Sequence, residues 1–168
     1  MSVPAVIDTN VIVSALLSKN DDAATVKVLD AVMDGEITPL YHEQIIEEYM
    51  DVLHRGKFHF REETIKTVFA AIQYYGRKTT PLPTGKIFAD MDDLIFYEVA
   101  LRENAYLITG NKKHYPQENF NSRKVAKTPR VQISEKSSEK QAKKPKKTNR
   151  QICLARRKQK EHRSAKKT

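Results

Sequence analysis

One cysteine, Cys153, occurs in the 168-residue chain. That rules out an intramolecular disulfide and a multi-cysteine zinc site, and it suits a reducing compartment. Only five glycines are present, and none follows the first apolar segment, so there is no Gly-rich turn to wrap the pyrophosphate of a dinucleotide. No apolar run approaches the roughly 18 residues that a membrane span requires, and no basic stretch leading into an apolar one opens the chain. A cytoplasmic protein without a membrane segment is expected. None of the five histidines has ligand spacing to another.

Positive charge is scarce in most of the chain and concentrated at one end. Residues 135–168 carry 14 Lys or Arg against three Glu, giving +11, whereas residues 1–134 carry 16 basic and 18 acidic residues, giving −2, within an overall formal charge of +9. The tail has few apolar residues and no aromatic one, so it cannot bury enough surface to offset chain entropy and is expected to be disordered when alone. Two parts follow: a body, 1–134, long enough for a core without disulfides, and a Lys/Arg-rich tail, 135–168. The run Lys143-Lys144-Pro145-Lys146-Lys147 resembles a nuclear localisation signal, although such runs are commonly solvated or phosphate-seeking.

The body is organised around Val3 to Val13. Val3 to Ile7 is apolar without alternation, the pattern of a central parallel strand covered on both faces, and it ends abruptly in Asp8. With Thr9 and Asn10 beside it, Asp8 can be read simply as a helix-start signal. It also stands where open α/β sheets bind ligands, outside the carboxyl end of a strand. A short helix over Val11 to Ser18 follows, then one over Ala23 to Met33 with Asp22 as its cap, a strand at Ile37 to Tyr41, and helices from about His42 to His54 and Glu62 to Tyr75. Two prolines make Thr80 to Gly85 an extended connection. A buried helix over Leu94 to Leu101 and strands at Tyr106 to Thr109 and near Lys124 to Lys127 complete an α/β sheet, mostly parallel, with helices on both faces.

Two helices bring further acids. At about 100° per residue, Ile45, Ile46, Tyr49, Val52 and Leu53 form one stripe that faces the core; Glu48 lies at its edge, and Glu47 and Asp51 point away. The second group is Asp90-Met91-Asp92-Asp93, at the positive end of a helix dipole that favours ionised carboxylates. A capping box would use Asp90 and Asp93 but leave Asp92 unexplained, and three crowded carboxylates repel unless something positive sits among them. Widely spaced acids at a strand end, a helix edge and a helix start can converge on one sheet edge, and their hard oxygens suit Mg²⁺ or Mn²⁺. Two such ions about 3.5 to 4 Å apart can ready a water and stabilise the leaving oxygen of a phosphodiester.

In that order, Val6-Ile7-Asp8-Thr9-Asn10-Val11, Ile46-Glu47-Glu48-Tyr49, Asp90-Met91-Asp92-Asp93 and Leu107-Ile108-Thr109-Gly110-Asn111 resemble the successive motifs of the PIN-domain nucleases. The likeness is greatest to the PIN toxins of prokaryotic toxin-antitoxin systems, related to VapC-type ribonucleases. It spans about residues 3 to 133, including Thr128-Pro129-Arg130. The resemblance implies a PIN-like three-layer α/β/α sandwich that cleaves RNA with a divalent metal. It makes Asp8, Glu48 and Asp93 core metal ligands and Asp90 an additional catalytic acid; Thr9, Asn10 and Thr109 would orient ligands or water, and Asp92 would support the ligands. It further implies a homodimer and a small antitoxin that covers the acidic site. Many PIN domains carry a fourth acid where this chain has Asn111, a neutral oxygen that weakens the expectation of two metals.

The tail lies outside the family pattern. Lys143, Lys144, Lys146, Lys147, Arg150, Arg156 and Arg157 are candidates for RNA phosphate contacts; a solubilising appendage or a tether to another partner accounts for the same residues. His54 and His59 flank a basic, aromatic loop, Arg55 to Phe60, and are expected at the surface or near RNA. A haloacid-dehalogenase-like phosphatase would need an acid at Asn10, and a phospho-acceptor receiver domain would need a lysine after a late strand, for which Lys112 and Lys113 are only approximate. The rival of another class is a PIN-like fold with little catalysis, acting as an RNA-binding or partner-binding module.

Overall fold

The computed structural model describes residues 1–88 and 90–115, and the backbone of 125–127. Its strands are β1 (Val3–Ile7), β2 (Ile37–Tyr41), β3 (Arg77–Lys78), β4 (Tyr106–Thr109) and β5 (Val125–Lys127); its helices are α1 (Thr9–Leu17), α2 (Ala24–Met33), α3 (Glu43–Leu53), α4 (Glu62–Tyr75) and α5 (Asp92–Arg102). The strands form one sheet in the order β3-β2-β1-β4-β5. Every pairing is parallel, where the sequence leads one to expect a mostly parallel sheet: Val3 pairs with Ile37, Ala5 with both Pro39 and Tyr106, and Leu107 with Val125. Successive strand residues face opposite sides, and Ala5, Val6 and Ile7 of β1 are all buried, as are Leu107, Ile108 and Thr109 of β4. Helices therefore cover both faces, giving three layers, α/β/α.

The chain runs outward from β1 in one direction through β2 and β3, then returns to β4 on the other side. The crevice between the carboxyl ends of β1 and β4 is thus the switch point of the sheet. The short edge strand β3 is not expected from its two exposed residues. It pairs only with Leu40 and Tyr41, beyond Pro39, which has no N–H to give. Gly76, which ends α4, must be glycine, because a Cβ there would meet Ile72 O at 2.1 Å and Pro39 O at 2.9 Å.

Local hydrogen bonding defines three helix starts. α1 begins at Thr9, not Val11, because Asp8 itself is the cap, its Oδ1 accepting from Asn10 N at 3.0 Å. Asp22 does not cap α2; Ala23 holds that position with no side-chain bond, and Asp22 lies 3.4 Å from Lys27 Nζ. α5 starts at Asp92, within the acidic group expected at its start, and no capping box forms: Asp90 Oδ1 accepts from Asp92 N at 3.1 Å, while Asp93 turns elsewhere. Among the described residues no helix is long and apolar enough to cross a membrane. The tail 135–168, with Lys143, Lys144, Lys146, Lys147, Arg150, Arg156 and Arg157, lies outside the described residues, as does Thr128-Pro129-Arg130.

Candidate active site at the carboxyl edge of the sheet

Asp8 is the fixed point. It is 5 % exposed, and a buried carboxylate persists only with hydrogen-bond partners. Oδ1 takes the Asn10 amide, and Oδ2 takes the Thr109 hydroxyl at 2.6 Å from the end of β4. The Tyr115 hydroxyl lies 3.2 Å from the same Oδ2 and 3.2 Å from Asp93 Oδ1. Thr109 Oγ1 in turn accepts from Asn111 N at 2.9 Å, and Asn10 Oδ1 accepts from Gly110 N at 3.0 Å. Asn10, Thr109 and Asn111 thus lock the β1 and β4 ends together around one carboxylate. Asn111 takes part through its backbone.

Helix α3 presents Glu48 as the helical wheel expects: Ile45, Tyr49, Val52 and Leu53 are buried, Ile46 and Glu48 half-buried, and Glu47 and Asp51 exposed. Tyr49, fully enclosed next to Glu48, donates its hydroxyl to Ile7 O, the carbonyl that precedes Asp8. That bond ties α3 to the end of β1 and so positions Glu48 with respect to Asp8. Helix α5 supplies Asp92 and Asp93, with Asp90 just before it. A cleft of about 400 Å³ is lined by Asp8, Thr9 and Asn10 from one side and by Glu48, Asp90, Asp92 and Asp93 from the other. Thr109 is fully buried behind Asp8. The Thr9 hydroxyl is also buried, with no hydrogen-bond partner.

The electrostatics match crowded acids in a partly dry site. Burial pushes the Glu48 carboxyl above its ordinary value, helped by Asp92 and opposed by Arg55. Burial likewise raises Asp93, against the opposing hydrogen bond from His114, with the Asp8 charge adding to the rise. Tyr115 is pushed far up by burial, Asp8 and Asp93, so its hydroxyl remains a donor.

Two of these groups had no signal in the sequence. His114 Nδ1 lies 2.8 Å from Asp93 Oδ2, and Tyr115 reaches both carboxylates from just beyond a single 3₁₀ turn, Lys112–His114. Phe58 and Arg55, from the loop after α3, complete the rim. The only foreseeable trace of this arrangement was that His114 and Tyr115 closely follow Thr109.

Among the described residues, no three His, Cys, Asp or Glu side chains are gathered tightly enough to hold an ion as they stand. In kind, the donor set fits a hard divalent cation: several carboxylates share one cleft, and the raised carboxyls of Glu48 and Asp93 are those an adjacent positive charge would relieve.

In comparison with known proteins, a family model described as PIN domain matches residues 4–113. No curated protein and no solved structure matches the chain.

Proposed function

Since this chain belongs to the PIN domain family, whose members are typically nucleases, we propose that it is a divalent-metal-dependent ribonuclease that hydrolyses RNA phosphodiester bonds. One observation carries the reading: Asp8 from β1, Glu48 from α3 and Asp90, Asp92 and Asp93 around the start of α5 all line one cleft. Asp8, Glu48 and Asp93 would hold Mg²⁺ or Mn²⁺. When bound, the ion supplies an activated water and charge for the leaving oxygen.

The protein's own groups prepare the site. Thr109 and the Asn10 amide hold Asp8 in one orientation. Tyr49 sets the distance of α3 from β1. His114 and Tyr115 hold Asp93, and Arg55 brings the positive side chain that an incoming phosphate needs at the rim.

The test is cleavage of a pool of single-stranded and structured RNA by purified protein with Mg²⁺, Mn²⁺ or chelator. Cutting that appears with metal and stops with chelator supports the reading. RNA held equally well in chelator, with no cutting in metal, favours a PIN-like binding module; Asn111 in place of an acid and the absence of a ready three-ligand group among the described residues support that second reading.

Family resemblance further supports a toxin role, with a homodimer and an antitoxin protein over the acidic cleft. Induced expression should then arrest growth, and a co-expressed neighbouring small protein should relieve the arrest. The +11 tail would add RNA affinity through phosphate contacts. An unchanged salt slope after deletion of 135–168 would remove it from the binding surface.

A further inference from the structure

The loop between α3 and α4 departs from its surroundings. In a cleft whose charged lining is mainly acidic, Arg55 is the one Arg or Lys among the described lining residues, and Phe58 from the same loop also lines it. Arg55 is half-exposed and anchored: Nε and Nη2 reach Asp51 Oδ2 at 3.2 and 2.6 Å. A guanidinium has five N–H donors in a fixed fork, so that anchor still leaves donors for a phosphate.

Phe58 is stacked on Phe60, with centroids 5.4 Å apart and planes at 16°. The exposed Lys57 ammonium lies over the Phe58 ring at 4.9 Å. Both rings are half-buried and pack against the hydrophobic core, and Phe58 also lines the cleft. The turn is closed by His59 in the left-handed region, φ 52°, a conformation that a non-glycine residue retains where the surroundings enforce it. A half-buried ring backed by a second ring, with an ammonium over it and an anchored guanidinium in the same cleft lining, matches what single-stranded nucleic acid requires: stacking for a base and charge for its phosphate.

We infer that the loop 55–60 is a nucleotide-binding rim in which Phe58, backed by Phe60, stacks an unpaired base of the strand whose phosphate lies against Arg55. Lys57 moves off the ring when the base arrives. This rests on the reading of the acidic cleft as a phosphodiester site, and it adds a requirement that duplexes cannot meet, since their bases are already stacked.

The test uses the full chain and a short single-stranded RNA containing 2-aminopurine, a base whose fluorescence is quenched on stacking, with Ca²⁺ present to fill cation sites and a duplex of the same sequence as control. The wild type should quench the single strand and leave the already low fluorescence of the duplex unchanged. Phe58→Leu, which keeps the apolar packing, should remove the quench and weaken single-strand binding about tenfold or more at every salt concentration. Phe58→Tyr should retain both. Arg55→Gln should instead lower the salt slope by about one.

An unquenched wild type, or Phe58→Leu binding the single strand as tightly as the wild type, overturns the inference. Cleavage with Mn²⁺ is scored separately. Cutting without a Phe58 effect sinks the rim and leaves the nuclease reading standing; a Phe58 effect without cutting does the reverse.

Discussion

The two halves of the cleft are built differently. The β1/β4 half is a closed lattice in which Asp8 is buried and held by the Thr109 hydroxyl at 2.6 Å and the Asn10 amide at 3.0 Å. The helical half holds its acids loosely. Glu48 and Asp93 are half-buried, Asp90 and Asp92 exposed, and Asp93 is held by a half-exposed imidazole at 2.8 Å and by the Tyr115 hydroxyl at 3.2 Å. A sheet can fix a ligand because its strand ends are joined by ladders. Helix starts and edges can lean toward or away from a cation at little cost. On the proposed function, the rigid half would set where chemistry occurs, and the yielding half would admit an ion and a substrate.

Substitutions separate the halves, beginning with the largest effect. Asp8→Asn should lower RNA cleavage at least about a hundredfold, because even a residue that merely orients a metal ligand is worth ~10- to 100-fold; single-turnover rates at saturating Mn²⁺ would measure it. Mn²⁺ at a hundred times its dissociation constant should stabilise the wild type by about 2.7 kcal/mol against urea. An unchanged midpoint would deny the cleft any preference for the folded, ion-bound state.

Thr109→Val should cost about 1 to 3 kcal/mol of folding stability by leaving a buried carboxylate short of a donor. His114→Ala should cost under about 1 kcal/mol, because its partner pairs near solvent. Equal losses in urea unfolding would erase the distinction between the halves.

The smallest effect is pH-dependent. Glu48 has a folded value above its unfolded one, so ionising it opposes folding. The contribution of Glu48 to the stability of the metal-free protein should therefore fall as pH rises from the unfolded carboxyl range, about 4, through the raised folded value. Glu48→Gln should remove that fall, gaining less than about 1 kcal/mol at neutral pH once solvent screening is counted and nothing at pH below about 4. A gain that persists in acid would mean that the substitution acts through packing.

Much of this architecture was legible in the chain because local patterns encode it. The unbroken apolar run before Asp8 announces a strand buried on both faces, and the α3 stripe is regular enough to place Glu48 at its edge and Glu47 and Asp51 outside it. The start of α5 was less legible in detail, since Asp90 and Asp92 engage in a local turn and form no capping box. Two features left no pattern. β3 is two exposed basic residues that join the sheet only because β2 offers an edge past Pro39. Tyr115 meets Asp8 across 107 positions of sequence, and nothing within a helical turn or a strand period reports such a contact. His114 was likewise invisible as a partner of Asp93 because ring and carboxylate come from different elements.

The bond from Thr109 to Asp8 spans 101 positions. On the ribosome, where chains grow at about 5 to 20 residues per second, some 5 to 20 s separate the synthesis of the two partners. For that interval the nascent chain carries its first acid without the hydroxyl that aims it. The candidate site is completed only after β4 has left the exit tunnel and inserted beside β1, so a product truncated before Thr109 lacks it.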